Sequence, residues 1–233
     1  MAVGKRIFLK RNLPSKELLD AFGQIPAANV ADVINRCNAM NQRIRLISSP
    51  KKPSFCGPAL TVKARAGDNL LLHAAIDICA PGDVIVLSNE GASNRSLMGE
   101  IMFTLLEKQR RCAGIVIDGP IRDIDAASRM EMPIYATGST PGGPYKEGPG
   151  EVNVPISCGE VPVRPGDLII GDPDGIVVVP LRDASVILAE AQAYHDADRK
   201  KLENAVNGTS NRSWVQKALF EKGFEMIDDV YRD

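Results

Sequence analysis

The adjacent Arg122 and Asp123 are the residues of this chain best suited to chemistry. They follow a wholly apolar run, Gly114-Ile-Val-Ile, through the turn Asp118-Gly119-Pro120. An aspartate at such a place can hold a hard divalent cation by one oxygen, and the planar guanidinium beside it matches an organic carboxylate. The reaction class this suggests is metal-assisted chemistry on an organic acid. The pair suits a structural role equally well, as a helix-start aspartate paired with a surface arginine. What speaks for chemistry is position, because ligands of α/β folds bind beyond the carboxyl ends of strands.

The elements that must carry this pair alternate at first. Ser15 opens a short helix through Leu18, Leu19 and Phe22, and Asn29 is expected to cap a second whose Val30, Val33 and Ile34 share a face. A strand at 59–64, a helix over 69–79 and a strand at 84–87 follow, and then the loop Asn89-Glu-Gly-Ala-Ser-Asn-Arg. That loop feeds a helix over 97–108, whose buried stripe is expected to hold Ile101, Leu105, Met98 and Leu106. The Gly114 strand comes next, then a short helix at 126–130 and a strand at 133–136.

From Gly138 to Gly150 glycine and proline are too dense for a helix or central strand, which predicts a structured surface loop. Strands are expected at 152–157, 161–163, 168–170 and 176–179. Pro81-Gly-Asp and Pro165-Gly-Asp repeat one device, a proline-glycine turn whose aspartate caps backbone amides before a strand. From Leu181 the chain reads as mainly helical, ending in a helix over 213–222. Residues 1–185 are expected to form one domain, and 186–233 a helical extension packed on that core or on a neighbouring subunit.

Composition excludes several classes. The 233 residues are 44% hydrophobic with a formal net charge of -1, enough for a full core and without the basic surface of a general nucleic-acid binder. No run of about 18 apolar residues suggests a membrane span. The N-terminus lacks the pattern of a signal peptide, so a cytoplasmic location is expected. Five scattered cysteines never form C-x-x-C, which argues against a disulfide framework or a zinc cluster and leaves most of them as small buried hydrophobes. Asp172-Pro-Asp-Gly reads as a tight turn rather than a calcium loop. The Gly138–Gly150 loop lacks the G-K-[ST] ending of a P-loop, and G-x-G-x-x-G is absent. His73, beside Leu71 and Leu72, reads as a core histidine.

The run I-V-I-D-G-P-I-R-D, P-I-Y-A-T-G, G-P-G-E-V-N-V-P-I-S-C-G and V-R-P-G-D-L-I-I-G-D-P-D-G-I-V-V-V-P resembles the RraA-like family. Ala31-Asp32-Val33, Gly57-Pro58-Ala59-Leu60-Thr61-Val62 and Gly67-Asp68-Asn69-Leu70 with His73 extend the likeness over about residues 25–185. That family includes the class II 4-hydroxy-4-methyl-2-oxoglutarate/4-carboxy-4-hydroxy-2-oxoadipate aldolases. The resemblance implies an α/β fold with a β-rich sandwich core flanked by helices, of the swivelling β/β/α type, assembled as homotrimers or dimers of trimers. It implies that Asp123 binds Mg2+ or Mn2+ and that Arg122 contacts a 2-keto acid. Gly99, Glu100, Ile101 and Met102 would hold the pyruvate carboxylate, Glu100 also orienting metal-bound water.

The chain departs from that pattern twice. Between Glu100 and Arg122 it carries one residue more than the family's aldolases, expected to be absorbed at 108–112. The glutamate those aldolases draw from a neighbouring subunit has no clear counterpart, His195 and Asp198 being the candidates. The activity expected on this resemblance is metal-dependent cleavage of a 4-hydroxy-2-keto acid to pyruvate, with oxaloacetate decarboxylation. The alternative within the family is a non-catalytic, protein-binding regulator of ribonuclease E.

Overall fold

The computed structural model of the chain describes residues 2–231 and contains two compact units, Met1–Ala193 and Tyr194–Asp233. The first is a mixed α/β unit built on a nine-stranded sheet. Lys5–Ile7, Gly150–Val152, Phe55–Ala64, Val84–Ser88, Gly114–Asp118, Ile134–Ala136 and Arg45–Leu46 lie side by side in that order. The strands from Phe55 to Ala136 pair in parallel, Ile85 with Leu60 and Ile115, and Val116 with Tyr135. Leu168–Asp172 and Gly175–Val179 form an antiparallel pair attached to the start of Phe55–Ala64.

The long Phe55–Ala64 strand joins two layers. Residues 55–58 pair with 168–171, whereas 59–63 pair with 84–88. Strand alternation then builds three cores. Leu60, Ile85, Leu87, Ile115 and Ile117 point to one face, against Leu72 and Ile76 of the Leu70–Ile78 helix and against Phe103 and Leu106. Ala59, Val84, Val86, Val116 and Tyr135 point to the other, against Ile169 and Val178. Leu168, Ile170, Val177 and Val179 face outward to Phe22 and Val30 of the helices Lys16–Phe22 and Ala27–Val33. Strands covered on both faces need continuous apolar runs, which is why Val84–Leu87 and Ile115–Ile117 show no polar alternation.

Local chemistry sets most boundaries as expected. Ser15 caps its helix, its hydroxyl accepting from Leu18 N at 3.3 Å. The two Pro-Gly-Asp turns are identical devices, since Asp83 Oδ2 accepts from Ala80 N and Asp167 Oδ2 from Arg164 N, each at 2.8 Å. Asp172 Oδ1 accepts from Asp174 N at 3.0 Å, closing the predicted tight turn. Among the cysteines, Cys79, Cys112 and Cys158 are buried, Cys56 partly so, and Cys37 is exposed.

Several elements differ from the sequence reading, each through a tertiary contact or a backbone break. Asn29 does not cap the second helix, which begins at Ala27 because Asp172 Oδ2, distant in sequence, accepts the Ala27 N–H at 2.8 Å. The expected strand 152–157 is split into Gly150–Val152 and Ile156–Cys158, since Asn153 turns left-handed (φ 56°) and donates from its side chain to Phe8 O. The helix expected from residue 97 starts at Glu100, runs α-helical to Thr104 and continues as a π-helix over Leu105–Arg110. Of the expected stripe, Leu106 and Met98 are buried and Leu105 partly so, but Ile101 is 78% exposed, and Met102 and Phe103 take its place in the core. The π-helical stretch is how one extra residue enters a helix without breaking it.

The helix Ala184–Val206 begins in the first unit, where Ala184 and Ala191 are buried, and continues into the second, which also holds the helix Ser213–Glu221. Among the described residues no helix is long and apolar enough to cross a membrane.

Candidate active site

The parallel strands Val84–Ser88 and Gly114–Asp118 end side by side, and the chain beyond each end builds the site. After Gly119, the two-residue strand Pro120–Ile121 pairs with Gly138–Ser139 on one side. On the other, Leu97 N donates to Pro120 O at 3.0 Å and Arg122 N to Met98 O at 2.9 Å. Arg122 and Asp123 thus leave a segment hydrogen-bonded on both flanks. Asp118 is a further anchor, holding Arg43 in a two-pronged pair at 2.9 and 3.0 Å and accepting from Gly159 N at 2.9 Å.

Asp123 itself is left-handed, with φ 59° and ψ 49°, a conformation an aspartate tolerates better than most residues but one that recurs where function fixes a side chain. Its Oδ2 accepts the backbone N–H of Glu100 at 3.0 Å. Arg122 Nε lies 3.8 Å from the same oxygen, with both side chains about half exposed, so the ion pair is loose and the guanidinium is open to a ligand. Gly99 makes this approach possible. A Cβ built there would overlap Asp123 Oδ2 and would stand 3.1 Å from Arg122 Cγ and Nε. Met102 N and Phe103 N both donate to Gly99 O, which closes the helix start against the pair.

A cavity of about 340 Å³ opens at this junction, lined by Arg122, Asp123, Gly99, Ile101 and Met102 together with Asn69, His73 and Lys146. Of the residues expected to act, Arg122, Asp123, Gly99, Ile101 and Met102 therefore share one cavity. Glu100 is at the first helical position, exposed, and joins them through its N–H rather than as a wall of the cavity. His195 and Asp198 lie on Ala184–Val206 within the second unit.

His73, Asn69 and Lys146 also line the cavity, and the sequence reading did not assign them to the site. His73 is half-buried on the cavity wall rather than in the core, and desolvation, with a smaller contribution from Lys146, holds its pKa below the ordinary value. Asn69 is 3% exposed; its Nδ2 donates to Leu97 O at 2.9 Å, while its Oδ1 is buried without a hydrogen-bond partner. Lys146 was signalled only by being the sole cation in the Gly138–Gly150 loop.

That loop is held by Asp68, which is fully buried. Its carboxylate accepts from Leu70 N at 2.9 Å, Glu147 N at 2.7 Å and Gly148 N at 2.9 Å. Asp68→Ala leaves these amides without an acceptor, so urea denaturation is expected to show a loss of about 2–4 kcal/mol, with proteolytic nicking appearing between residues 143 and 148. Unchanged stability would mean that the loop is held by other contacts.

Among the described residues no three His, Cys, Asp or Glu side chains converge on a metal position. Asp123, with Oδ2 engaged by an amide, offers one carboxylate to a cation. This donor set fits Mg2+ or Mn2+, ions bound by one or two carboxylates with waters and substrate oxygens completing the shell, and does not fit a caged structural ion.

Comparison with known proteins agrees with the architecture. A family profile described as "RraA-like: Aldolase/RraA" matches residues 27–178. A protein of Halalkalibacterium halodurans, provisionally named a 4-hydroxy-4-methyl-2-oxoglutarate aldolase, is 35% identical over 205 residues, covering 87% of this chain and 96% of its own. A similarly named protein of Aromatoleum aromaticum is 33% identical over 61% of this chain and 91% of its own length. Among solved structures, an uncharacterized protein of Pseudomonas syringae pv. tomato superposes with TM-score 0.75 at 25% identity, covering 86% of this chain and 97% of that one. Streptomyces coelicolor RraAS2, described as an unusual member of the RNase ES inhibitor RraA protein family, gives 0.72 at 26% identity, covering 82% and 98%. With the profile spanning the parallel strands of the sheet, the Arg122–Asp123 turn and nearly all of the outer strand pair, the chain belongs to the RraA-like family.

Proposed function

We propose that this protein is a divalent-metal-dependent lyase that cleaves a 4-hydroxy-2-keto acid to pyruvate, of the 4-hydroxy-4-methyl-2-oxoglutarate aldolase type, and that it also decarboxylates oxaloacetate. The observation that carries the reading is the Asp123 carboxylate, set left-handed at the cavity wall with one oxygen tied to Glu100 N–H and the Arg122 guanidinium loosely beside it. A purely structural ion pair has no need of a glycine that makes room for it, nor of a cavity at its side. The names carried by the aldolase relatives point the same way.

A cation held by Asp123 would supply Lewis-acid polarisation of the substrate's keto group. Arg122 donates to the oxygen on which negative charge grows as the C3–C4 bond breaks, a contact of about 1.5–3 kcal/mol. Glu100, at the helix start, orients the water that receives the C4-hydroxyl proton as that carbon becomes a carbonyl, and a proton returned from that water to C3 of the enolate completes pyruvate. Gly99 keeps the Asp123 carboxylate against the helix start, and Met98, Met102 and Ile101 offer apolar walls. Loss of carbon dioxide from oxaloacetate develops the same charge at the same oxygen, so one site serves both reactions. No lysine Schiff base is involved, and borohydride with pyruvate is expected to trap nothing.

The same reading places the protein in the cytoplasm as a homotrimer or a dimer of trimers. Leu70, Ile101 and Ile124, which are 43%, 78% and 37% exposed, provide apolar surface for such self-association. The test is pyruvate release from 4-hydroxy-4-methyl-2-oxoglutarate and from oxaloacetate, coupled to lactate dehydrogenase, with Mg2+, Mn2+ or EDTA. Turnover with either metal and none with EDTA is the expected result. Absence of turnover on both substrates by folded protein would move the assignment to a protein-binding regulator, the reading that the likeness to RraAS2 favours.

A further inference from the structure

We propose that Lys146, with His73 beside it, forms a second anion subsite in the Arg122–Asp123 cavity and takes the far carboxylate of a dicarboxylic 2-keto acid. The inference rests on the keto-acid reading above and assigns the residues that select among such acids.

Charge is the first argument. Among the described residues Asp123 is the only carboxylate lining the cavity, against two fixed cations, Arg122 and Lys146. The keto-acid head answers the Arg122–Asp123 end. A ligand with one carboxylate leaves the Lys146 ammonium uncompensated, and a second carboxylate satisfies it. The neutral His73 imidazole, also on the cavity wall, adds a hydrogen-bond donor without adding charge.

Preorganisation is the second. Lysines on glycine-rich loops ordinarily lose much entropy on binding, but the backbone on both sides of Lys146 is pinned. Tyr145 N donates to Gly67 O at 2.8 Å, and Asn69 N to Tyr145 O at 3.0 Å. Immediately after Lys146, the amides of Glu147 and Gly148 are held by the fully buried Asp68. Arg95 lies 3.9 Å over the Tyr145 ring and donates to Gly143 O at 2.8 Å. Spending a buried carboxylate and a stacked arginine to fix an exposed loop makes sense if the residue between the clamps must meet a ligand. The cavity volume of about 340 Å³ lies at the small end of the range for ligand pockets, suited to a five- to seven-carbon acid.

The experiment is calorimetric titration of the Mg2+-loaded protein with 2-oxoglutarate and with 2-oxopentanoate, which share chain length and keto-acid head and differ in the far carboxylate. Neither carries the C4 hydroxyl, so binding is read without turnover. Wild type is expected to favour 2-oxoglutarate by about 10- to 100-fold, the range for a hydrogen bond to a charged group. Lys146→Gln is expected to bring that ratio near 1, and Lys146→Arg to keep most of it, with unchanged circular dichroism. A wild-type ratio near 1, or a ratio that survives Lys146→Gln, overturns the proposal even if the protein cleaves 4-hydroxy-2-keto acids. A Lys146-dependent ratio in a protein with no lyase activity upholds the subsite and removes only the proposed reaction.

Discussion

Asp123→Asn is expected to abolish metal-dependent pyruvate formation while leaving the fold intact. Asparagine adopts the left-handed conformation of residue 123 as readily as aspartate, and its amide oxygen can still accept the Glu100 N–H. What the substitution removes is the negative charge, and with it the only carboxylate that lines the cavity among the described residues. Loss of Lewis-acid polarisation amounts to several kcal/mol, on the order of 10³-fold or more in kcat at about 1.36 kcal/mol per decade. Asp123→Ala should be equally inactive and slightly less stable, because alanine pays for the positive φ that aspartate accepts. Mn2+ binding by titration calorimetry provides the independent readout, and both variants should lose it. An Asp123→Asn protein that keeps wild-type turnover, or binds Mn2+ as before, would remove Asp123 from the metal site and with it the proposed mechanism.

Gly99→Ala is the second large effect, and it separates function from stability. The added Cβ would overlap Asp123 Oδ2, so the carboxylate must swing off the Glu100 N–H, and the nearby Arg122 Nε must shift as well. Both obstacles are ends of half-exposed side chains rather than backbone. Gly99 is itself extended, at φ -145°, a conformation alanine adopts freely. Folding should therefore suffer by less than about 1 kcal/mol. Catalysis should fall on the order of 100-fold, the scale of an ångström-sized misplacement of a reacting group. Gly57→Ala is the useful contrast: its Cβ would meet the Gly82 carbonyl and Val84 within the sheet, which cannot yield, so stability rather than site geometry should fail. Wild-type kcat in Gly99→Ala would mean that the tight seating of Asp123 against the helix start is not needed for the reaction.

Much of the fold was legible because its signals are local. Apolar runs with no polar alternation, as at Val84–Leu87, announce strands covered on both faces, and the helices now found against one face and the Leu168–Val179 pair against the other meet that requirement. The Pro-Gly-Asp turns and the Ser15 cap need only residues within three positions of each other. The errors fall where a distant group intervened. Asp172 moved a helix start from Asn29 to Ala27, and in the stretch 97–110 Ile101 faces the cavity while Met102 and Phe103 pack into the core.

The site divides along the same line. By itself the sequence determined that Arg122 and Asp123 follow a buried strand through a sharp turn, because residue type and turn chemistry act between neighbours. It could not determine that Gly99 must lack a side chain, that Asp68 clamps the loop bearing Lys146, or that His73 faces a cavity. Each of those depends on groups about 20 to 80 residues apart meeting within a few ångströms. Packing of strand ends side by side brings them together, and the one-dimensional pattern of a chain holds no record of which side chains such packing makes neighbours.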